Sequence, residues 1–188
     1  MTLFPYPEEF IAYLAEYFGS RDYFECHEWM EALWKKEKGK PQENCWLVLV
    51  RVAVAQYHAR RGNSAGAYKL LAKAAREVDP AAMDGIGLDG RRLAGVLRDR
   101  LAAWGGPNGV AYSDLELPIT DPELLRLARQ AASARGWAWG APGDQVAREL
   151  IDRHALRDRA EVIDARAAAA REKAQEREKR RHTSEDDA

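Results

Sequence analysis

Helical periodicity runs through nearly the whole chain, and no segment alternates apolar and polar residues as a half-buried strand does. The stretch from residue 43 to residue 61 is the hardest to assign, because its many Val and Leu residues also suit a strand. Its length and its unbroken path to Arg61 indicate a buried helix instead. We therefore predict an all-α fold, a compact helical bundle with a charged C-terminal helical extension.

Breaks and capping residues divide this pattern into predicted helices. The first five cover about 8–18, 20–37, 43–61, 64–78 and 90–104. A sixth starts at residues 120–123, which match a capping box with Pro in the first turn. A seventh begins near Asp144. Ser20 is predicted to cap the second helix, Asp89 to cap the fifth, and a Gly-rich loop to precede Asp89.

The last apolar side chains before the C-terminus set the predicted domain boundary. Residues 1–163 contain enough apolar side chains to form the bundle, whereas residues 164–188 contain mainly Ala and charged residues. Such a segment has little to bury, so we predict a charged tail that is frayed or disordered. A nucleic-acid-binding arm is the less favoured interpretation, because Glu neutralises much of its basic charge.

The overall composition limits the range of partners. The formal net charge is −1, which gives no general attraction to nucleic acid or anionic lipid. No apolar run approaches the roughly 18 residues of a membrane span, and the N-terminus lacks the pattern of a signal peptide. We therefore expect a soluble cytoplasmic protein without a membrane partner. A small-molecule partner, a protein partner and a homo-oligomer all stay open.

The second predicted helix carries polar groups in the middle of its apolar stripe. At about 100° per residue, one stripe holds Tyr23, His27, Met30, Glu31 and Trp34. Burying a His and a Glu without partners would cost on the order of several kcal/mol. Either partners await them inside the fold, or they line a site.

The short turn around residue 41 predicts antiparallel packing of the second and third helices. Glu31 and Arg51 are then about equally far from the turn, and His27 and His58 are roughly level. Both pairs also lie on the apolar stripes of their helices. We therefore predict a buried polar cluster that consists of Glu31 with Arg51, and of His27 near His58, with Glu28 at its edge.

Three interpretations of this predicted cluster stay open. The first is structural: the groups satisfy one another and fix how the helices pair. The second is a catalytic pocket with hydrolytic chemistry, in which His27 or His58 is the base and Arg51 holds an anion; its candidates are His27, Glu28, Glu31, Arg51 and His58. The third and least favoured is a divalent-metal site of His27, Glu31 and His58. Any cofactor is otherwise unknown.

Further residues are candidates for binding or for structural roles. The binding candidates are Trp34, Arg61 and Asn63, the last two at a helix start that could present amides to an anion. A helix cap is the more favoured interpretation of that start. Cys26 is predicted to be a buried structural thiol, and a disulfide with Cys45 is not expected because the two lie at different heights.

Two separated motifs together resemble the bacterial domain of unknown function 309 family. They are Tyr23–Glu28 with Glu31 and Trp34, and Ala53–Ala55 with Tyr57, His58, Arg61–Asn63, Gly66 and Ala67. The resemblance covers about residues 18–104, and its motif positions are Glu25, His27, Glu28, Glu31, Trp34, His58, Gly62 and Asn63. It implies a small all-helical protein with no established activity. The chain departs from the family pattern in the third helix, where Arg51 and Val48 stand in place of a Gln and a Gly.

These observations leave two function classes. The favoured one is a non-enzymatic scaffold or interaction module in which the polar cluster only sets helix pairing. The alternative is a small-molecule or metal-assisted hydrolase-like enzyme that uses His27, His58 and Glu31. The distinguishing feature is access: a sealed cluster favours the first class, and a cleft that reaches the two His side chains favours the second.

Overall fold

A computed structural model describes residues 6–151 of the chain. The chain divides into one compact unit that ends at Val146 and a second that begins at Ala147. The helices of the first unit are α1 (Glu8–Ala15), α2 (Tyr23–Lys36), α3 (Glu43–Arg60), α4 (Ser64–Glu77), α5 (Pro80–Asp84), α6 (Gly90–Trp104) and α7 (Pro122–Ala134). Residues 6–151 contain no β-strand, so the all-α prediction is confirmed.

The central element is α3, which packs against α2 on one side and α4 on the other. Its side chains Val48, Leu49 and Val52 are fully buried, which confirms that this Val-rich run forms a buried helix. Around this centre, α1 packs on α2 and α7, and α6 packs on α4. The polar motif residues of α2 therefore lie beside the helix that forms much of the core.

The connection between α1 and α2 corrects one predicted cap. A π-helical turn, Glu16–Ser20, extends the first helix, and Arg21 then takes a left-handed conformation with φ of 56°. The cap of the second helix therefore lies two residues later than predicted. Asp22, rather than Ser20, caps α2, and its side chain accepts hydrogen bonds from the backbone amides of Phe24 and Glu25.

Asp89 caps α6 as predicted. The predicted capping box would place Thr120 at the cap of the next helix, but Asp121 caps α7 instead, with Pro122 in the first turn. One short helix was missed. The residues after Asp79, predicted as a loop, form α5, because Asp79 accepts from the amides of Ala81 and Ala82. An Asp-Pro pair is a helix-start pattern in its own right.

A long irregular segment between α6 and α7 is held by side chains from the helices. Buried carbonyl groups need hydrogen-bond donors, and this segment has few backbone partners to supply them. The donors are Tyr17 Oη to the Leu115 carbonyl (2.7 Å), Gln56 Nε2 to Ser113 (3.1 Å), Arg100 Nη2 to Asp114 (2.8 Å) and Trp104 Nε1 to Ala111 (3.1 Å). These side-chain hydrogen bonds therefore hold the irregular segment against the helices.

The C-terminal part of the chain is described only at its start. Residues Gly143–Gln145 form a 3-10 turn where the seventh helix was predicted to begin, and residues 148–151 are helical. The predicted boundary at residue 163 and the charged tail, residues 164–188, lie outside the described residues. Within residues 6–151, none of the helices has the length and apolar character needed to cross a bilayer.

Candidate functional site

Three polar side chains of α2 meet at the protein surface. His27 Nδ1 lies 3.0 Å from Glu28 Oε1, and His27 Nε2 lies 3.7 Å from Glu31 Oε2. The other carboxylate oxygen of Glu31 is 3.1 Å from Lys35 Nζ. We call His27, Glu28 and Glu31 the α2 triad. Their ligand atoms all lie within 4.8 Å of one another.

The prediction that this cluster is buried is wrong. The side chains of His27, Glu28 and Glu31 are 28%, 51% and 34% exposed. The predicted apolar stripe of α2 was too wide. Its members Tyr23 and Met30 are buried in the core, but the residues at its edge are not. His27 and Glu31 lie on the flank of that stripe, where the side chains reach water.

The predicted pair of Glu31 and Arg51 is also wrong. The largely buried guanidinium of Arg51 donates a hydrogen bond to Glu77 on α4. This bond lowers the pKa of the Glu77 carboxyl. Asn44, seven residues before Arg51, donates from Nδ2 to the Glu77 carbonyl over 2.7 Å. The face of α3 that carries Arg51 therefore points to α4 and not to α2.

His58 does not join the α2 triad to make the predicted metal set. Among the described residues, the potential metal ligands that lie close together are His27, Glu28 and Glu31, without His58. His58 Nδ1 instead accepts a hydrogen bond of 3.1 Å from Asn63 Nδ2. Burial lowers the pKa of His58, and the charge of Arg61 lowers it further.

The binding candidates at the start of α4 have structural partners. Asn63 caps α4 through a 3.1 Å bond from the Gly66 amide to its Oδ1. A Cβ at Gly66 would lie 2.7 Å from Asn63 Nδ2, so a larger residue there would displace the capping side chain. The guanidinium of Arg61 lies 5.0 Å from the centre of the Tyr57 ring and donates to the Tyr57 hydroxyl. These contacts favour the cap over an anion site.

Trp34, the remaining binding candidate, is half-buried against the core. The ammonium of Lys38 lies 5.4 Å from the centre of its ring, a cation–π contact. Its indole Nε1 is buried and has no acceptor among the described residues. Trp34 therefore belongs to the boundary between core and surface on the same helix as the α2 triad.

Sequence reasoning missed a second polar region, which we call the Arg21 network. Arg21 is 1% exposed; its Nε donates to the Ala141 carbonyl over 2.8 Å, and its Nη2 lies 3.2 Å from Glu116 Oε1 and 3.7 Å from Asp114 Oδ2. The network also includes Arg60, which donates to the Arg21 carbonyl over 2.8 Å, and the hydroxyl pair Tyr23 and Tyr112. The hydrogen-bond acceptors of Arg21, Glu116 and Ala141, lie 95 and 120 residues away along the chain, so the sequence offers no local pattern to detect.

Both cysteines behave as predicted. Cys26 and Cys45 are free and buried. Burial raises the pKa of the Cys26 thiol well above its usual range and that of Cys45 to about 11. Neither thiol is therefore suited to act as a nucleophile near neutral pH.

A separate depression lies between α1 and α7. Its volume is about 390 Å³, and its lining includes Ile11, Leu127, Arg126 and Arg135. None of the predicted site residues lines it. The depression and the α2 triad are therefore two independent surface features.

Comparisons with known proteins place the chain in a family. The family model described as "Domain of unknown function (DUF309)" matches residues 11–70. The uncharacterized protein YpuF of Bacillus subtilis (strain 168) is 38% identical over 160 residues, which cover 84% of this chain and 91% of that protein. The chain belongs to the DUF309 family. No solved structure gives a significant match. The matched DUF309 region contains the α2 triad, Trp34 and His58, as the motif resemblance predicted.

Proposed function

We propose that this DUF309 protein is a non-enzymatic interaction module that binds an amphipathic helix of a partner protein. The observation that carries the proposal is a stripe on α3 that is only half-buried, although α3 is the central helix. Its members follow one another at intervals of three, four and four residues, which places them on one helical face. The stripe consists of Leu47, Val50, Val54 and His58.

The neighbours of α3 leave this stripe between them. On the α2 side, the Phe24 and Tyr57 rings lie 6.0 Å apart, and on the α4 side Arg51 meets Glu77. The half-exposed stripe falls on the part of the α3 circumference between these two contacts. This supports a shallow groove with α3 as its floor and α2 and α4 as its walls. We call it the α3 groove.

The chemistry of the α3 groove favours a helical partner. An amphipathic helix can place its apolar residues on such a floor, with anchors at helical spacing. Each half-exposed Val or Leu that becomes fully buried would contribute about 1 kcal/mol. The α2 wall carries Glu28, which is 51% exposed, so a basic residue on the adjacent edge of the partner helix would suit it.

The hydrolase-like alternative has less support. It needs Arg51 free to hold an anion and His58 beside His27. The guanidinium of Arg51 is engaged by Glu77, and His58 Nδ1 is engaged by Asn63. The groups that the alternative requires are thus tied to α4, whereas the apolar side chains of the α3 stripe remain only partly buried.

A peptide-display selection tests the interaction proposal. The full chain would be used to select from a library of 18-residue amphipathic helices, and the affinity of the selected peptides would be measured by fluorescence anisotropy. We expect dissociation constants in the micromolar range, on the order of 10 μM. Val54→Asp should weaken binding at least about tenfold, because it puts a charge in an apolar contact.

The matched control is Ala32→Asp, which adds the same carboxylate at an exposed position of α2. It should leave the affinity within about twofold. Leu47→Lys provides a second groove variant if Val54→Asp unfolds the protein. Equal binding by the groove variants and the wild type would contradict the proposal. A dimer of the wild type that light scattering shows to dissociate in Val54→Asp would also contradict the proposal, because the groove would then bind a second copy of the chain.

A further inference from the structure

We propose that α4 gives the α3 groove a basic wall, which selects partner helices that carry acidic side chains along one edge. The wall consists of Lys69, Lys73 and Arg76, and we call it the α4 basic wall. This inference rests on the proposed function, because it names the chemistry of the partner for the same groove.

One row of α4 and its cap faces the α3 groove. Its members are three or four residues apart and therefore share one face of the helix: Asn63, Gly66, Leu70, Lys73 and Glu77. At one end of the row, Asn63 Nδ2 donates to His58 Nδ1 over 3.1 Å. At the other end, Glu77 accepts from Arg51. Because both ends contact α3, the residues between them lie on the groove side of α4.

Lys73 is the basic member of this row. It is exposed and lies between the half-buried Leu70 and Glu77. The pKa of the Glu77 carboxyl is lowered most by the hydrogen bond from Arg51, and the charge of Lys73 lowers it further. The Lys73 ammonium therefore acts on the edge of the groove where α3 and α4 meet.

Two more basic residues extend the wall along α4. Lys69 lies four residues before Lys73, and Arg76 lies three residues after it; both are exposed. At a rise of about 1.5 Å per residue, the three residues span about 10 Å of the helix. The wall is thus long enough to meet two turns of a helix that lies beside it.

Little of this positive charge is neutralised by neighbouring acidic residues. Helix α4 contains three basic residues and a single acidic one, Glu77. Glu77 is already engaged by Arg51 and by Arg76, whose Nη2 lies 3.3 Å from Glu77 Oε1. Within residues 6–151, Lys69 and Lys73 take part in no ion pair. The net charge of the whole chain is −1, so the excess of positive charge is local to this wall.

The apolar floor beside the wall favours an acidic amphipathic helix over a nucleic acid. A phosphate backbone would pair with the basic side chains but would leave the half-exposed Leu47, Val50 and Val54 uncovered. A helix with Asp or Glu at intervals of three and four residues beside its apolar row would cover both. Exposed ion pairs are individually weak and act mainly on the choice of partner. Selectivity is therefore the property to measure.

Three peptides of equal length that share one apolar row test the wall. They differ at three positions along one edge, which are all Glu, all Gln or all Lys, and their affinity for the full chain is measured by fluorescence anisotropy. We expect the Glu-edge peptide to bind about tenfold more tightly than the Gln-edge peptide at low salt. In about 0.5 M NaCl this preference should fall to about twofold, because salt screens exposed charges.

Charge reversal assigns the preference to the wall. Lys73→Glu should weaken binding of the Glu-edge peptide at least about fivefold and of the Gln-edge peptide less than about twofold. Lys69→Glu combined with Lys73→Glu should make the Lys-edge peptide bind more tightly than the Glu-edge peptide, which a misfolded variant could not do. Arg129→Glu is the matched control, because it makes the same change of charge at an exposed position of α7, which packs on α1. It should leave all three affinities within about twofold.

The outcomes separate this inference from the proposed function. If Val54→Asp weakens the Gln-edge peptide but the edge charge has no effect, the α3 groove is supported and the basic wall is overturned. Equal losses for all three peptides in Lys73→Glu would also overturn the wall, as would displacement of the Glu-edge peptide by an equal concentration of a single-stranded oligonucleotide. If none of the three peptides binds, the proposed function fails and the wall fails with it.

Discussion

The α2 triad and the Arg21 network are both polar, yet their environments are opposite. The triad lies on one helix, its members are within four residues of one another, and each is between 28% and 51% exposed. In the Arg21 network, the central Arg is 1% exposed and its partners come from distant parts of the chain. The comparison shows that a conspicuous local motif need not be buried, and that the charges on which the fold depends need not form a motif.

The physical reason lies in desolvation. A guanidinium taken out of water needs hydrogen bonds from the protein. In Arg21, Nε donates to the Ala141 carbonyl and Nη2 to the Glu116 carboxylate, whereas the buried Nη1 has no acceptor among the described residues. The side chains of the triad stay in contact with water, so folding does not require them to pair with one another. We therefore expect substitutions in the Arg21 network to change stability, and substitutions in the triad to leave stability nearly unchanged.

The largest expected effect is in the Arg21 network. Arg21→Ala should lower the free energy of unfolding by about 3 kcal/mol, because the buried Arg21 side chain leaves a void and the Ala141 carbonyl loses its donor. Urea denaturation followed by Trp fluorescence measures this. Arg126→Ala is the control: Arg126 forms two hydrogen bonds to Glu123 on the surface, and its loss should leave stability unchanged. Equal losses of stability in the two variants would contradict the expected difference between a buried and an exposed charge.

A pH-dependent effect is expected at Glu16, which lies near the start of the Arg21 network. Burial raises the pKa of Glu16 to about 7, and the charges of Asp22 and Glu25 add to this increase. In the unfolded chain the carboxyl ionises near pH 4.5. The contribution of Glu16 to stability is therefore greatest below about pH 4.5 and is lost as the pH rises to about 7, where the folded state must also ionise.

Glu16→Gln removes this ionisation and keeps an acceptor for the Ser20 hydroxyl. The pKa difference corresponds to at most about 3 kcal/mol, and solvent screening reduces the expected gain to about 2 kcal/mol above pH 7. At pH 4 the variant and the wild type should be equally stable. Urea denaturation at a series of pH values measures the difference, and a gap that does not widen between pH 5 and 7 would contradict the assignment.

A double-mutant cycle tests which carboxylate pairs with Arg51. Arg51 was predicted to pair with a triad member, Glu31, but its partner is Glu77. Arg51→Ala combined with Glu77→Gln should show a coupling of about 1 kcal/mol in the free energy of unfolding. The same cycle with Glu31→Gln should show none within error. A larger coupling of Arg51 to Glu31 than to Glu77 would support the pair predicted from the sequence.

The smallest expected effect is in the triad itself. His27→Ala should change the free energy of unfolding by less than about 0.5 kcal/mol, since the imidazole is partly in water and its partners stay solvated. Thermal and urea denaturation in metal-free buffer measure this. A loss above about 2 kcal/mol would show that His27 supports the fold, and the triad would then resemble the Arg21 network.

Features encoded within one helical turn were largely readable from the sequence. The Val-rich run of α3 is a buried helix, Asp89 caps α6, α7 begins at the predicted capping box, and Cys26 is buried. Capping and periodicity depend on residues within about four positions, so a single chain displays them. The family likeness was readable for the same reason, because its motifs are short and lie on α2 and at the junction of α3 and α4.

The sequence by itself thus determined the all-α class, most helix bounds and the three residues of the triad as a group worth attention. Only the tertiary structure decided that the triad is exposed, that Arg51 turns to Glu77, and that Arg21 is buried against Glu116. Distance from a turn fixes the height of a residue along a helix pair, but not which of two neighbouring helices its face meets. That choice depends on the packing of α2 and α4 around α3, which involves contacts across the whole described unit.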